Sequence, residues 1–84
     1  MGQAARERPV RLGAKLLQIR TVLGLSQNEM IKRLGVVMPQ FMISNFEHGT
    51  REPSLLVLLR YARVAGVTVE MLIDDELNLP KDLL

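Results

Sequence analysis

The stretch "LSQNEMIKRLGVVMPQFMISNFEHG", residues 25–49, decides how this chain folds. It holds two helix signals separated by a short break. In "SQNE", Ser26 to Glu29, the Ser26 hydroxyl can accept a backbone N–H of the first turn, and the Glu29 carboxylate can accept the N–H of Ser26. Met30, Ile31 and Leu34 then fall on one inward face, and Gly35 closes the helix. The next helix is expected to begin near Pro39, whose fixed φ and missing N–H suit a first turn, and to end by Gly49. Within it Ile43 and Phe46 point inward, while Gln40, Phe41, Ser44, Asn45 and His48 form the other face. That outer face carries no lysine or arginine.

The flanking sequence continues in the same period. Leu12, Leu16, Ile19 and Leu23 make the stripe of a first helix that Gly24 ends. Ser54 caps a fourth helix with an expected inner face of Leu55, Leu58, Leu59, Ala62 and Ala65, and Gly66 stops it. Thr68 caps a short fifth helix with Val69, Leu72 and Ile73 turned inward. The end, "DDELNLPKDLL", is acidic, broken by Pro80, and expected on the surface. No strand-like alternation competes. The expectation is an all-α fold, a compact bundle of five short helices. Helices two and three, joined by a tight glycine-containing turn, have the plan of a helix-turn-helix. The domain is expected over residues 11–75, after a flexible basic arm at 1–10 and before a tail at 76–84.

Composition narrows the classes. Eighty-four residues make one domain with a modest core. The absence of cysteine removes disulfides and thiolate metal sites and fits a cytoplasmic location. No apolar run approaches the ~18 residues needed to span a bilayer. "MGQAAR" has the glycine of a myristoylation signal, but Arg6 stands where Ser or Thr is required. No secretory signal is evident.

The net charge of +2 hides an asymmetry. Residues 1–51 hold eight Lys or Arg against three acids, and residues 52–84 hold three against six. One end suits a polyanion and the other avoids it, although uneven scatter on a solvated surface gives the same count. "DDE" at Asp74 to Glu76 could hold magnesium, but adjacent acids at a helix end are commonly a solvated patch. No nucleophile–base set or phosphate loop accompanies them, so an enzyme is not expected. His48 has no second histidine and no cysteine to complete a metal site. No metal, cofactor or small-molecule ligand is therefore expected.

"LGLSQNEMIKRLGV", "ISNFEHGTREPSL" and "YARVAGVTVEMLID" together resemble the Cro and lambda-repressor-like (Xre-type) helix-turn-helix family, over about residues 11–75. The matching positions include Leu25-Ser26-Gln27, Glu29, Leu34-Gly35-Val36, Ile43-Ser44, Glu47, Gly49, Arg51, Pro53-Ser54-Leu55, Ala62, Gly66-Val67 and Leu72. The resemblance implies binding to double-stranded DNA. It gives Gln27 and Ser26, at the start of helix two, a phosphate-facing role that suits the free N–H groups and positive dipole of a helix N-terminus. Ser26 is a cap first. Arg51, beyond helix three, resembles a second backbone clamp. By the same resemblance Gln40, Phe41, Ser44 and Asn45 occupy the base-facing positions. Asn and Gln can pair with adenine, Ser is tolerant, and Phe can pack on a thymine methyl. The resemblance also pairs Arg20 with Glu47, tying helix one to the end of helix three; two unrelated surface charges are the plainer alternative.

Two departures from the family pattern stand out. Gly35 to Ile43 spans two more residues than the usual turn, with Val37 and Met38 as the extras. Ile31 stands where alanine is usual, and a larger side chain overpacks a tight crossing. The longer turn is expected to let helix three shift and make room. The function expected is a small repressor-like transcriptional regulator reading the major groove with helix three. The alternative is a protein-interaction module on the same fold, antitoxin-like or an adaptor, with Phe41, Met42 and Met38 as an apolar patch. A homodimer through helix five and the tail (Leu77, Leu79, Leu83, Leu84) is one expectation; those leucines folding back on the core is the other.

Overall fold

The computed structural model describes residues 7–83, so the part of the basic arm at residues 1–6, and Leu84, lie outside the described residues. Five helices follow in order: α1 (Leu12–Leu23), α2 (Gln27–Leu34), α3 (Gln40–His48), α4 (Leu55–Ala65) and α5 (Val69–Ile73). The described residues contain no strand, and the fold is all-α. α1 packs on α3 and α5, α2 on α3 and α4, and α4 on α5.

The local signals explain where the helices begin and end. Ser26 makes both halves of its box: the Glu29 N–H donates to Ser26 Oγ at 3.1 Å, and the Ser26 N–H donates to Glu29 Oε1 at 2.8 Å. Those two bonds hold the Glu29 carboxyl below its ordinary pKa. Ser54 and Thr68 accept from the N–H groups of Val57 and Met71, each at 3.2 Å. α1 to α4 each close on a glycine at positive φ. At Gly35 (φ +70°) any residue with a Cβ would be strained by roughly 1–2 kcal/mol. Pro39 sits just before α3 as an extended N-cap (φ −69°, ψ 151°), not within its first turn.

The core gathers Leu12, Leu16 and Ile19 of α1, Met30 and Leu34 of α2, Ile43 and Phe46 of α3, and Leu72 of α5. α4 contributes Leu58, Tyr61, Ala62 and Ala65, so its inner face is rotated from the expected one. Leu55 is 82% exposed, whereas Tyr61 is fully buried. Ile73, expected inward, is also exposed. Ile31 is half-buried and packs against the core instead of swinging out to solvent. Of the two extra turn residues, Met38 packs against the core and Val37 is fully exposed.

The segment after α5 does not run along the surface throughout: Leu79 enters the core. Reciprocal capping between the two ends of the chain brings it there. α1 has no side-chain cap of its own, and the Asp75 carboxylate supplies the acceptor, taking the N–H groups of Val10 and Arg11 at 2.9 Å each. These bonds keep the Asp75 carboxyl below its usual range. In return the buried Lys15 donates from Nζ to the carbonyls of Met71 (2.7 Å) and Asp74 (2.8 Å), at the C-terminal end of α5. Arg11 adds bonds to the carbonyls of Asp75 and Leu77 and to Asn78 Oδ1. A cation at a helix C-terminus and an anion at an N-terminus both complement the helix dipoles. Burial pushes the Lys15 ammonium pKa down, and Arg11 adds to that shift.

Tyr61 carries a cost inside the core. Its hydroxyl is buried and has no hydrogen-bond partner among the described residues. Burial raises its pKa, and the nearby Glu47 charge pushes the same way. An unsatisfied buried hydroxyl costs about 1–3 kcal/mol, whereas a phenyl ring keeps the packing. Tyr61→Phe is therefore expected to leave stability unchanged or raise it by as much as about 1 kcal/mol in urea denaturation. A loss of that size instead would mean that the hydroxyl is bonded.

Candidate nucleic-acid interface

The start of α2 and the outer face of α3 form one surface. Gln27 opens α2, half-buried, and its Oε1 accepts a hydrogen bond from Gln40 Nε2 at 3.2 Å. Gln40 is the first residue of α3, so this bond ties the two helices where they converge. With its oxygen engaged, Gln27 has its amide N–H groups left to offer, which suits an anionic oxygen. Ser26 Oγ accepts as the α2 cap, and its O–H proton stays free to donate.

Along α3, Gln40 is exposed, Phe41 is 60% exposed, and Ser44 and Asn45 are half-buried. The four side chains anticipated to face bases therefore lie outside the core, opposite Ile43 and Phe46. His48 is exposed at the helix end and touches Ser44. Its Nδ1 lies 2.8 Å from the Ser44 carbonyl, which can only accept, so Nδ1 carries the proton. Ser44 Oγ, 3.2 Å from the same nitrogen, then keeps its own O–H to donate elsewhere.

The end of α3 also fixes the loop that follows. The Asn45 carbonyl accepts from the N–H groups of Thr50 (3.0 Å) and Arg51 (3.3 Å) and from Thr50 Oγ1 (3.2 Å). Arg51 is thus anchored by its backbone to α3, while its side chain is exposed and unpaired among the described residues. Nearby, Arg8 lies 3.7 Å from Glu52.

Arg20 and Glu47 meet beneath this surface. Arg20 Nε donates to Glu47 Oε2 at 2.6 Å and Nη2 donates to Oε1 at 3.0 Å, a two-pronged pair. Nη1 adds the Leu25 carbonyl at 3.0 Å. The Glu47 side chain is 4% exposed and that of Arg20 is 19% exposed. The hydrogen bond to Glu47 raises the Arg20 pKa, with burial opposing. The pair joins α1, the loop before α2, and the last turn of α3.

Part of the basic surplus in the first half of the chain is therefore spent on contacts within the chain, by Arg11, Lys15 and Arg20. Lys32, Arg33 and Arg51 remain at the surface. Three contributors went unnoticed in the sequence: Arg11, Lys15 and Arg60, which donates from α4 to the Leu34 carbonyl. Lys15 had a signal, because it lies on the stripe of Leu12, Leu16 and Ile19 and so had to be covered. Arg11 and Arg60 had none, since their partners are distant carbonyls. No group of three or more potential metal ligands occurs among the described residues.

The profile of a family described as helix-turn-helix matches residues 16–72, most of the chain and all of α2 and α3. The chain belongs to this helix-turn-helix family. Among solved structures, a SinR protein in complex with SinI protein is 27% identical, with a TM-score of 0.67 over 77% of this chain and 62% of that one. This helix-turn-helix domain therefore spans less than two thirds of that SinR chain. SinR, the master regulator for biofilm formation, in complex with DNA is 27% identical at a TM-score of 0.62, over 73% of this chain and 95% of that one. The P22 c2 repressor with a synthetic operator shares the fold at a TM-score of 0.68 and 23% identity, over 76% of this chain and 94% of that one. No curated protein matches the sequence.

Proposed function

We propose that this helix-turn-helix protein is a sequence-specific DNA-binding transcriptional regulator that reads the major groove with α3. The observation that carries the reading is the Gln27–Gln40 bond, which aligns the α2 N-terminus with the first outward residue of α3. In this reading Gln27, Arg51 and, secondarily, Ser26 contact phosphate, while Gln40, Phe41, Ser44 and Asn45 face bases. The division explains why α3 needs no lysine or arginine: backbone contacts position the domain, and base edges are read by amides, a hydroxyl and an apolar ring. Family membership and the DNA complex of SinR support it. Control then comes from occupancy of the site, not from catalysis, in the compartment that holds the DNA. No helix among the described residues is long and apolar enough to cross a membrane.

We also propose a homodimer through α5 and the tail, since helix-turn-helix dimers bind half-sites about one DNA turn apart. Leu79 belongs to the core and Leu83 packs against it, so Ile73 and Leu77 are the apolar residues that the described part of this surface can offer.

A second reading, a protein-interaction module, is favoured by one observation: Val37 is fully exposed and Phe41 more than half exposed, both on the α3 side. Salt separates the two. Phosphate-driven binding weakens steeply as salt rises, and an apolar protein contact does not. Selection of bound sites from random DNA at two salt concentrations is expected to return a preferred sequence whose affinity falls with salt. No enrichment at either concentration would favour the protein partner. With a selected duplex in hand, Arg51→Ala is expected to weaken binding to all sequences alike and to reduce the salt slope by roughly one unit. An unchanged slope removes Arg51 from the backbone contacts.

A further inference from the structure

The turn from Gly35 to Pro39 must set where α3 starts, yet it is weakly held by its own backbone. The Gly35 N–H closes α2 on the carbonyls of Ile31 and Lys32. After it, none of Val36, Val37 and Met38 donates or accepts a backbone hydrogen bond among the described residues. One polar tie joins this turn to another helix. Arg60, in α4, donates from Nη1 to the Leu34 carbonyl at 2.9 Å and reaches the Gly35 carbonyl at 3.5 Å. No carboxylate among the described residues shares its guanidinium.

We propose that Arg60 is a positioning residue for DNA reading: by fastening the lengthened turn to α4 it fixes the place and register of α3. The proposal rests on α3 being the reading helix. The physical logic is direct. The last carbonyls of α2 carry the negative end of its dipole, and a guanidinium there makes charge-assisted bonds. Its site is confined as well, because a Cβ on Gly35 would come within 2.9 Å of Arg60 Nη1. Val36 and Met38 pack against the core on either side of the exposed Val37. Without Arg60 those two apolar contacts would have to hold the turn alone. The loss falls on base reading, since a base contact fails with a small misplacement while a phosphate contact tolerates one.

The full chain would be compared with Arg60→Met and Arg60→Lys on two probes, a duplex recovered by selection and an unrelated duplex of equal length. Arg60→Met is expected to lower the ratio of the two affinities by about tenfold, comparable to one mismatched base pair, with the salt slope unchanged. Arg60→Lys, which keeps one donor but not the fork, is expected to fall between. Backbone order parameters of Val36 to Met38 in the free protein give a reading independent of DNA. They are expected to drop from about 0.85 to below about 0.6 in Arg60→Met. An unchanged ratio, or unchanged order parameters, overturns the proposal. So does an equal loss on both duplexes with the slope reduced by about one unit, which would make Arg60 a phosphate contact. If Arg60→Met loses its helical signal, Arg60→Lys decides, and a wild-type ratio there overturns the idea. If the unmodified chain prefers no duplex, the DNA-reading function fails on that arm, while the order parameters still judge whether Arg60 holds the turn.

Discussion

Glu47→Ala is expected to cost about 3–5 kcal/mol of folding free energy, close to the lower figure because the Arg20 side chain keeps some contact with water. Removal of the carboxylate leaves a guanidinium with only the Leu25 carbonyl as a hydrogen-bond partner among the described residues. The penalty is the desolvation of an uncompensated charge, not the attraction itself, and this has a checkable consequence. A double replacement, Arg20→Met with Glu47→Leu, removes both charges and keeps apolar volume, so it is expected to be more stable than Glu47→Ala alone. Urea denaturation of the wild type, Glu47→Ala and the double variant measures both. A single-mutant loss below about 1 kcal/mol would class the pair with exposed surface bridges. The effect should also reach the proposed DNA-facing surface, because the last turn of α3 holds Arg51 through the Asn45 carbonyl.

The features legible in the sequence are those whose cause is local. Ser26, Ser54 and Thr68 cap within three residues of themselves, and a glycine after a helix closes it whatever surrounds it. The stripes of α1 and α3 were legible because polar residues flank them. α4 was not, because "LLVLL" is apolar on every side. Periodicity alone cannot choose there between a face through Leu55 and one through Tyr61. The choice is made by what α4 packs on, and the first turn of α4 overhangs the core.

The rest was hidden for a related reason. Arg11, Lys15 and Arg60 bond mainly to backbone carbonyls 25 to 66 residues away, and a carbonyl is offered by every residue in a sequence. Only the fold selects which one is met. At the candidate site, the outward face of α3 follows from the positions of Ile43 and Phe46, so it was readable. The Gln27–Gln40 bond was not, because it depends on how the two-residue-longer turn delivers α3 to α2.

Gly13→Ala supplies the second large effect, and here two principles oppose each other. A glycine inside a helix is ordinarily unfavourable, so alanine should add roughly 0.5–1 kcal/mol of stability. Gly13, however, is where α1 crosses the end of α3. A Cβ there would lie 2.7 Å from the Glu47 carbonyl oxygen, 2.9 Å from that of Phe46, and 3.2 Å from the Glu47 carbonyl carbon. All three are backbone atoms, which cannot rotate away as a side-chain tip can. Overpacking of this kind costs about 1–3 kcal/mol where side chains can still adjust, and here α1 and α3 must part. The steric term therefore wins, and Gly13→Ala is expected to destabilise by about 2 kcal/mol in spite of its helix propensity. Gln18→Ala, at an exposed position of α1, calibrates the propensity gain in the same assay. The displaced carbonyls belong to the turn that carries Glu47 and anchors Arg51, so the Arg20–Glu47 pair and DNA affinity should weaken together with stability. If Gly13→Ala instead stabilises the protein as Gln18→Ala does, α1 and α3 do not approach this closely, and the tie between them rests on Arg20, Glu47 and the shared core side chains.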